Sequence, residues 1–265
     1  MRGKIADRRV GLARALSKLG YCSRSRASEL IRDGRVRLNG KIHRDPEAPS
    51  HPEKDLIEVD GRAVLTTGKV YVMLNKPRGL VTTTSDEKGR QTVYSLLGNE
   101  LPWLAPVGRL DKASEGLLLL TNDSEWSARV LDPETHLEKL YHVQVEGVAD
   151  AALLSSMVSG VRDETGGVLR VKRAEFLRGG QRNSWIEVTL EEGKNRQIRR
   201  LLDRLGISVL RLLRIAIGPL ALGQLAKGEW RYLVASEKLL LDEAMNCLRD
   251  RVEGSAKGKT TRSHP

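Results

Sequence analysis

Residues Gly116 to Thr121 read GLLLLT, and the four leucines Leu117 to Leu120 form the longest aliphatic run in the chain. A short apolar run without alternation reads as a buried strand, and four residues fall far short of spanning a bilayer. Whatever fold this chain adopts must enclose that segment. Just ahead of it, in VGRLDKASE, stand Arg109 and Asp111, two residues apart. The acid is thereby placed at the mouth of an apolar core beside a cation. Burial pushes such an acid towards neutrality, and the guanidinium holds it charged. A carboxylate held this way suits a nucleophile or a general base. The plainer reading is an Asp111 that caps a turn and an Arg109 that faces solvent.

The chain of 265 residues and 29.4 kDa has room for one large domain and a small one. Its 45 basic and 34 acidic side chains give a formal +11, unevenly distributed. Residues 1–44 hold 13 basic and 3 acidic side chains, a net +10, residues 249–265 hold a net +3, and the rest is close to neutral at about −2. A near-neutral body with a basic head and tail points to a polyanionic partner gripped at the N-terminus. A hydrophobic content of 40% argues against disorder. The opening MRGKIADRRV lacks the apolar core of a secretory signal, so a cytoplasmic protein with no membrane segment is expected. Cys22 and Cys247 are isolated from each other and from any His at ligand spacing, which leaves no disulfide framework and no zinc site.

In the head, apolar spacing over Val10 to Leu19 predicts a short helix closed by Gly20. A second is capped by Ser23 or Ser25, buries Ala27, Leu30 and Ile31, and stops at Gly34. Strands follow around Val36 and Leu38, across Asn39-Gly40 to Ile42, and from Leu56–Val59 across Asp60-Gly61 to Ala63–Leu65. The helices leave Arg24, Arg26, Arg32, Arg35, Arg37 and Lys41 outside, a cluster that a polyanion would relieve. Aromatic residues are nearly absent, so the head should hold phosphates and the shape of structured RNA rather than stacked single-strand bases. ARALSKLGYCSRSRASELIRDGRVRLNGK, residues 13–41, resembles an S4 RNA-binding domain. That resemblance implies an RNA partner and leaves the reaction open.

A polar linker near Thr66 to Lys69 separates head from body. In the body, strands are predicted at Val70–Leu74, Gly116–Thr121, around Tyr141 to Val145, at Val168–Phe176 and Trp185–Leu190, with a last one at Val209–Ile217. Helices are predicted at Thr92–Leu97, Glu125–Leu131, Ala151–Val158 and Asn195–Leu205. Strands without regular helical crossovers indicate an α+β fold with a mixed, mostly antiparallel sheet. Residues 1–65 are expected to form the S4 module, 68–248 the main domain, and 249–265 a basic disordered tail.

Two further constellations stand out. In EEGKNRQIRRLLDRLG, residues 191–206, a helix would place Arg196, Arg199, Arg200 and Asp203 on one face opposite Ile198, Leu201, Leu202 and Leu205. With Lys194 just ahead, that face could meet a phosphate or a buried carboxylate, or could simply be solvated. In EKLYHVQV, Tyr141 shares a strand face with Val143 and Val145, more in the manner of a core aromatic than of a catalytic one.

Together the three fragments resemble the motifs of the RsuA-type ribosomal RNA pseudouridine synthases. The carriers are GRLDKASEGLLLLTND, KLYHV and GKNRQIRRL, with LNKPRGLVTT (residues 74–83) and LRIAIGPLALGQLAKGEWRYL (residues 213–233) in matching order. Ala113-Ser114-Glu115 departs from the usual Thr-Ser-Gly. The resemblance implies Asp111 as the catalytic aspartate, Tyr141 as an active-site tyrosine on the target base and Arg199 as the partner of Asp111. It also implies Arg109 as an RNA contact near a flipped nucleotide, and an aliphatic residue such as Leu213 under the uracil. Lys194, Arg196 and Arg200, with Arg24, Arg26, Arg35, Arg37 and Lys41 of the head, complete the expected RNA-binding set. Asp111 could attack C1′ or C6, or assist glycal formation.

No cofactor or metal is expected, because the isomerisation needs no redox change or group donor and the sequence carries no P-loop or dinucleotide motif. The expected partner is ribosomal RNA in a subunit or assembly intermediate, bound by a monomer. The GKNRQIRRL motif leans towards large-subunit (23S) over small-subunit (16S) RNA. The alternative is a noncatalytic S4 protein of ribosome assembly or translation control with a decayed synthase-like body. Such decay should have removed at least one of Asp111, Tyr141 and Arg199, and all are present.

Overall fold

The computed structural model describes residues 9–83, 89–98, 100–164 and 166–257, with side chains as far as Asn246. They fall into two compact units. One holds the chain up to Tyr71 together with Leu97–Pro106 and Leu120–Glu125, and the other holds Val72–Leu96, Val107–Leu119 and the chain from Trp126 onward. The first unit therefore takes in two later segments besides the residues assigned to the head by sequence.

In the first unit, helix α1 (Leu12–Lys18) buries Leu12, Ala13, Ala15 and Leu16. It ends at Gly20, whose φ of +75° is left-handed and whose missing Cβ would stand 2.6 Å from Thr67 Oγ1. Helix α2 (Arg24–Arg32) starts at Ser23, whose hydroxyl accepts from Arg26 N at 3.1 Å, so Ser23 is the cap rather than Ser25. Strands β1 (Val36–Leu38), β2 (Lys41–His43), β3 (Ile57–Val59) and β4 (Arg62–Ala63) make an antiparallel sheet in the order β2-β1-β3-β4. Its hairpins turn on Asn39-Gly40 and Asp60-Gly61, all four residues at positive φ, as tight hairpin turns require. The last strand stops at Ala63, and Leu65 is 78% exposed. The core is a single cluster from Leu12 to Val59.

The second unit is built on a nine-stranded sheet. Its main path uses β5 (Tyr71–Lys76), β6 (Glu115–Thr121), β7 (Lys139–Glu146), β8 (Arg173–Gly179), β9 (Asn183–Leu190), β10 (Val209–Ile217) and β11 (Trp230–Tyr232) in the order β8-β9-β7-β10-β6-β5-β11. Pairing is antiparallel at β8/β9, β9/β7, β7/β10 and β5/β11 and parallel at β10/β6. The sheet is thus mixed and mostly antiparallel within an α+β fold. Every residue of β6 is buried, as the leucine run requires. Around the sheet lie α3 (Ser124–Leu131), α4 (Ala151–Ser159), α5 (Gln197–Arg204) and α6 (Ala235–Lys257).

Several boundaries differ from the sequence reading. The predicted strand Val168–Phe176 is two strands, Val168–Leu169 and β8, because Val171 turns inward between them and gives its N–H to Met157 O at 3.0 Å. Strand β10 is not the last, since Leu220–Ala221 pairs back on it and β11 pairs with β5. Helix α5 begins at Gln197, so Arg196 lies outside it, at φ +49°. Helix α6 continues to Lys257, through residues assigned by sequence to the tail, while 258–265 lie outside the described residues. It is docked by buried Leu241 and Met245 and by Trp126 Nε1, which donates to Asp242 at 2.9 Å. Among the described residues no helix is long and apolar enough to cross a membrane, and no group of three or more His, Cys, Asp or Glu could hold a metal.

Candidate active site

The loop carrying Asp111 is fixed from beneath by LNKPRGLVTT. Lys76, at the end of β5, is fully buried, and its Nζ donates to Pro77 O at 3.1 Å, Asp111 O at 3.2 Å and Ser114 O at 2.9 Å. Burial pushes the amine down to about 8, against the charges of Asp111 and Glu115, which favour its protonation. Gly79 N donates to Lys112 O at 2.8 Å, and Thr82 Oγ1 donates to Leu110 O at 2.8 Å. The loop backbone is therefore tied at successive points, and the Asp111 carboxylate projects from a fixed base.

Beyond the loop, Gly116, the second residue of β6, has φ +102°, and a Cβ there would stand 2.2 Å from Arg214 O. Only glycine permits this approach of β6 to β10. The departing triplet ends in Glu115, a buried carboxylate that accepts from Arg211 at 3.2 and 3.3 Å and pairs with Lys227 at 2.5 Å. Burial raises its pKa, but Lys227 and Arg211 outweigh that and keep it below the ordinary value.

Arg199 reaches the loop from α5. Its Nη2 donates to Ala113 O at 3.1 Å, and its Nε stands 4.0 Å from Asp111 Oδ2 without making a hydrogen bond. Its side chain is 14% exposed and that of Asp111 is 34% exposed. Burial lowers the pKa of Arg199, Asp111 opposes the shift, and Arg196 and Arg78 add to it. The acid and its cation, 88 positions apart in the chain, meet here as the motifs suggested.

A cleft of about 490 Å³ opens over Asp111, and Arg199 stands behind that residue without lining the cleft. Tyr141, 9% exposed, lines it from β7, beside Arg214 of β10 in the strand register. Leu212 and Ile198 add apolar surface, and Arg109, Lys194 and Arg196 stand exposed at its edge. Leu212, not Leu213, is the aliphatic residue of β10 that lines the cleft, because Leu213 is on the opposite face, its side chain close to Gly116. Lys139 also lines the cleft, donates to Glu191 O at 3.2 Å, and is pushed down to about 8 by burial and by Arg214.

The expected RNA-binding cations separate into groups. Lys194 pairs with Glu192 at 2.9 Å, and Arg200 is turned away to Asp163 at 2.8 Å and does not line the cleft. In the first unit, Arg26 pairs with Glu29 at 2.8 Å and Arg35 makes a two-pronged pair with Asp60 at 2.8 and 2.5 Å. Arg24, Arg37 and Lys41 are exposed and form no ion pair among the described residues. Sequence reasoning assigned no role to Lys76, Lys139 or Arg214. The only hint was their presence in the matching stretches LNKPRGL, KLYHV and LRIAIGP.

Residues 70–204 match the RNA pseudouridylate synthase family, and residues 10–55 match the S4 domain. A protein of Aquifex aeolicus (strain VF5) described as an uncharacterized RNA pseudouridine synthase is 39% identical over 237 residues, covering 89% of this chain and 95% of that protein. The ribosomal large subunit pseudouridine synthase B of Bacillus subtilis (strain 168) is 35% identical over 227 residues, covering 85% and 93%. A crystal structure of a pseudouridylate synthase superposes with a TM-score of 0.62 at 29% identity, covering 88% of this chain and 99% of that one.

Proposed function

The chain belongs to the RNA pseudouridylate synthase family and carries an S4 domain, and from that premise we propose that it converts one uridine of large-subunit ribosomal RNA to pseudouridine. The observation that carries the reading is Asp111, with Arg199 4.0 Å away, in a cleft that Tyr141 lines. Asp111 is the carboxylate that acts on the nucleotide, Arg199 stands beside it as its cation, and Tyr141 packs on the base. Arg109, Lys194 and Arg196 at the cleft edge meet the RNA around the extruded nucleotide.

Extrusion of a stacked base costs a few kcal/mol, and backbone contacts offset it. Arg24, Arg37 and Lys41 supply such contacts from the head, with Arg26 and Arg35 exchanging their carboxylate partners for phosphate. The reaction breaks N1–C1′, turns the base and joins C5 to C1′, with composition unchanged. It calls for neither a cofactor nor a metal. Large-subunit RNA is supported by the GKNRQIRRL motif and by the name of the Bacillus subtilis relative. The protein acts as a monomer in the cytoplasm, on a ribosomal subunit or its assembly intermediate.

The test maps pseudouridine in ribosomal RNA from cells lacking the protein and complemented with wild type or Asp111→Asn. One site is expected to disappear in the deletion and to return only with wild type. Persistence of every ribosomal pseudouridine in the deletion overturns the assignment.

A further inference from the structure

Two buried polar groups at the cleft have no partner of their own. Ser114 Oγ and Arg214 Nη2 make no hydrogen bond. Their residues are 1% and 6% exposed, and both line the cleft with Asp111 and Tyr141. Arg214 is not free to swing elsewhere. Its Nε donates to Leu117 O at 2.7 Å, and the approach at Gly116 sets its strand against β6. A buried guanidinium N–H without an acceptor carries an uncompensated desolvation penalty, so this corner of the cleft is complete only when a ligand supplies an acceptor.

The surroundings select among acceptors. Leu212, Ile198 and the Tyr141 ring offer apolar surface to a flat group. The one buried, unpartnered nitrogen of Arg214 matches a single ring carbonyl, whereas the exposed Arg109, Lys194 and Arg196 at the cleft edge are the donors open to phosphate. Uracil combines flat faces with carbonyl acceptors on its edge.

We propose that Arg214 Nη2 donates to a carbonyl oxygen of the target uracil, with Ser114 Oγ beside it, making Arg214 the residue that reads the base. This rests on the uridine-isomerase reading above. When N1–C1′ breaks with its electron pair passing to the ring, negative charge grows on the ring carbonyls and the guanidinium contact strengthens. The C5–C1′ bond then forms, the C5 proton leaves, and N1 takes up a proton. Arg214 thus binds the base more tightly as the glycosidic bond opens than it does at the start.

The experiment uses full-length protein and an oligoribonucleotide spanning the uridine found by the mapping, with uridine, 2-thiouridine or 4-thiouridine at that position. Single-turnover isomerisation is read by nucleoside chromatography. Sulfur accepts hydrogen bonds poorly, so one thio substitution is expected to slow wild type by about 10- to 100-fold. Arg214→Met is expected to slow the uridine reaction about 100-fold, to leave RNA affinity little changed, and to abolish that thio penalty. Equal wild-type rates on all three RNAs overturn the inference without any variant. An undiminished penalty in folded Arg214→Met overturns it too. If Arg214→Met shows no cooperative melt, Arg214→Lys carries the same comparison, with the penalty expected to shrink. A wild type inactive on the uridine RNA would instead defeat the isomerase reading itself.

Discussion

In the N-terminal unit, Arg24, Arg37 and Lys41 stand exposed on the helix pair and the small sheet. In the synthase unit, Lys76 is fully buried, Arg214 is 6% exposed, and both donate to backbone carbonyls. The same residue types thus do opposite work. Exposed cations can be exchanged for alanine with little effect on folding, and their charge is open to a polyanion that comes and goes. Buried ones hold a loop or a strand in register, so their removal is felt first in geometry and then in chemistry.

The largest separation of folding from chemistry is expected at Asp111→Asn. Activity on the mapped uridine should fall by ~10⁴-fold or more, while the unfolding midpoint and RNA affinity stay near wild type. A variant that keeps a tenth of the wild-type rate would remove Asp111 from the centre of the reaction. Next is Lys76→Met, which removes the ammonium bonds to Pro77 O, Asp111 O and Ser114 O and leaves Asp111 O only Ser114 N. It should cost about 2 kcal/mol or more in urea unfolding and roughly 100-fold in rate as the Asp111 loop loosens. An unchanged rate would show that the loop holds its place without the lysine.

The triple variant Arg24→Ala/Arg37→Ala/Lys41→Ala makes the converse case. Stability should stay within about 0.5 kcal/mol, and the slope of log binding constant against log salt should flatten by about one for each phosphate no longer neutralised. An unaltered slope would move the grip away from the head. The smallest effect concerns pH. Lys76 and Lys139 are held at about 8 against an ordinary 10.5, so each binds its proton more weakly folded than unfolded. Their penalty is complete below about pH 8 and fades as pH rises towards 10.5. The stability of wild type relative to Lys139→Met should therefore rise across that window, by on the order of 1 kcal/mol. The head variant should track wild type throughout.

What could be read in advance followed from local pattern. The leucine run, the Asn39-Gly40 and Asp60-Gly61 hairpins and the two N-terminal helices depend on neighbours in sequence, and each is found where expected. The pairing of Asp111 with Arg199 became legible only by resemblance, since nothing in spacing links residues so far apart. Lys76 escaped because a lysine at the end of an apolar strand looks like its solvent end, and its acceptors come from a distant loop. Periodicity alone places Arg196 on the helix, whereas the helix begins only at Gln197. Its buried amide accepts from Lys194 N at 3.1 Å and donates to Arg170 O at 2.9 Å, which turns the chain before the helix starts.

The first unit is assembled from pieces that a ribosome delivers at different times. Its apolar cluster needs only residues up to Val59, and can close while the nascent chain is short. Trp103 N, however, donates to Gly20 O at 3.0 Å, and Asn122 Nδ2 donates to Thr67 Oγ1 at 3.2 Å and to Gly68 O at 2.9 Å. At about 5–20 residues per second, those partners emerge several seconds after the cluster can form. During translation the exit end of α1 stays open for that interval, and its closure waits on Trp103 and on Asn122, just past the end of β6.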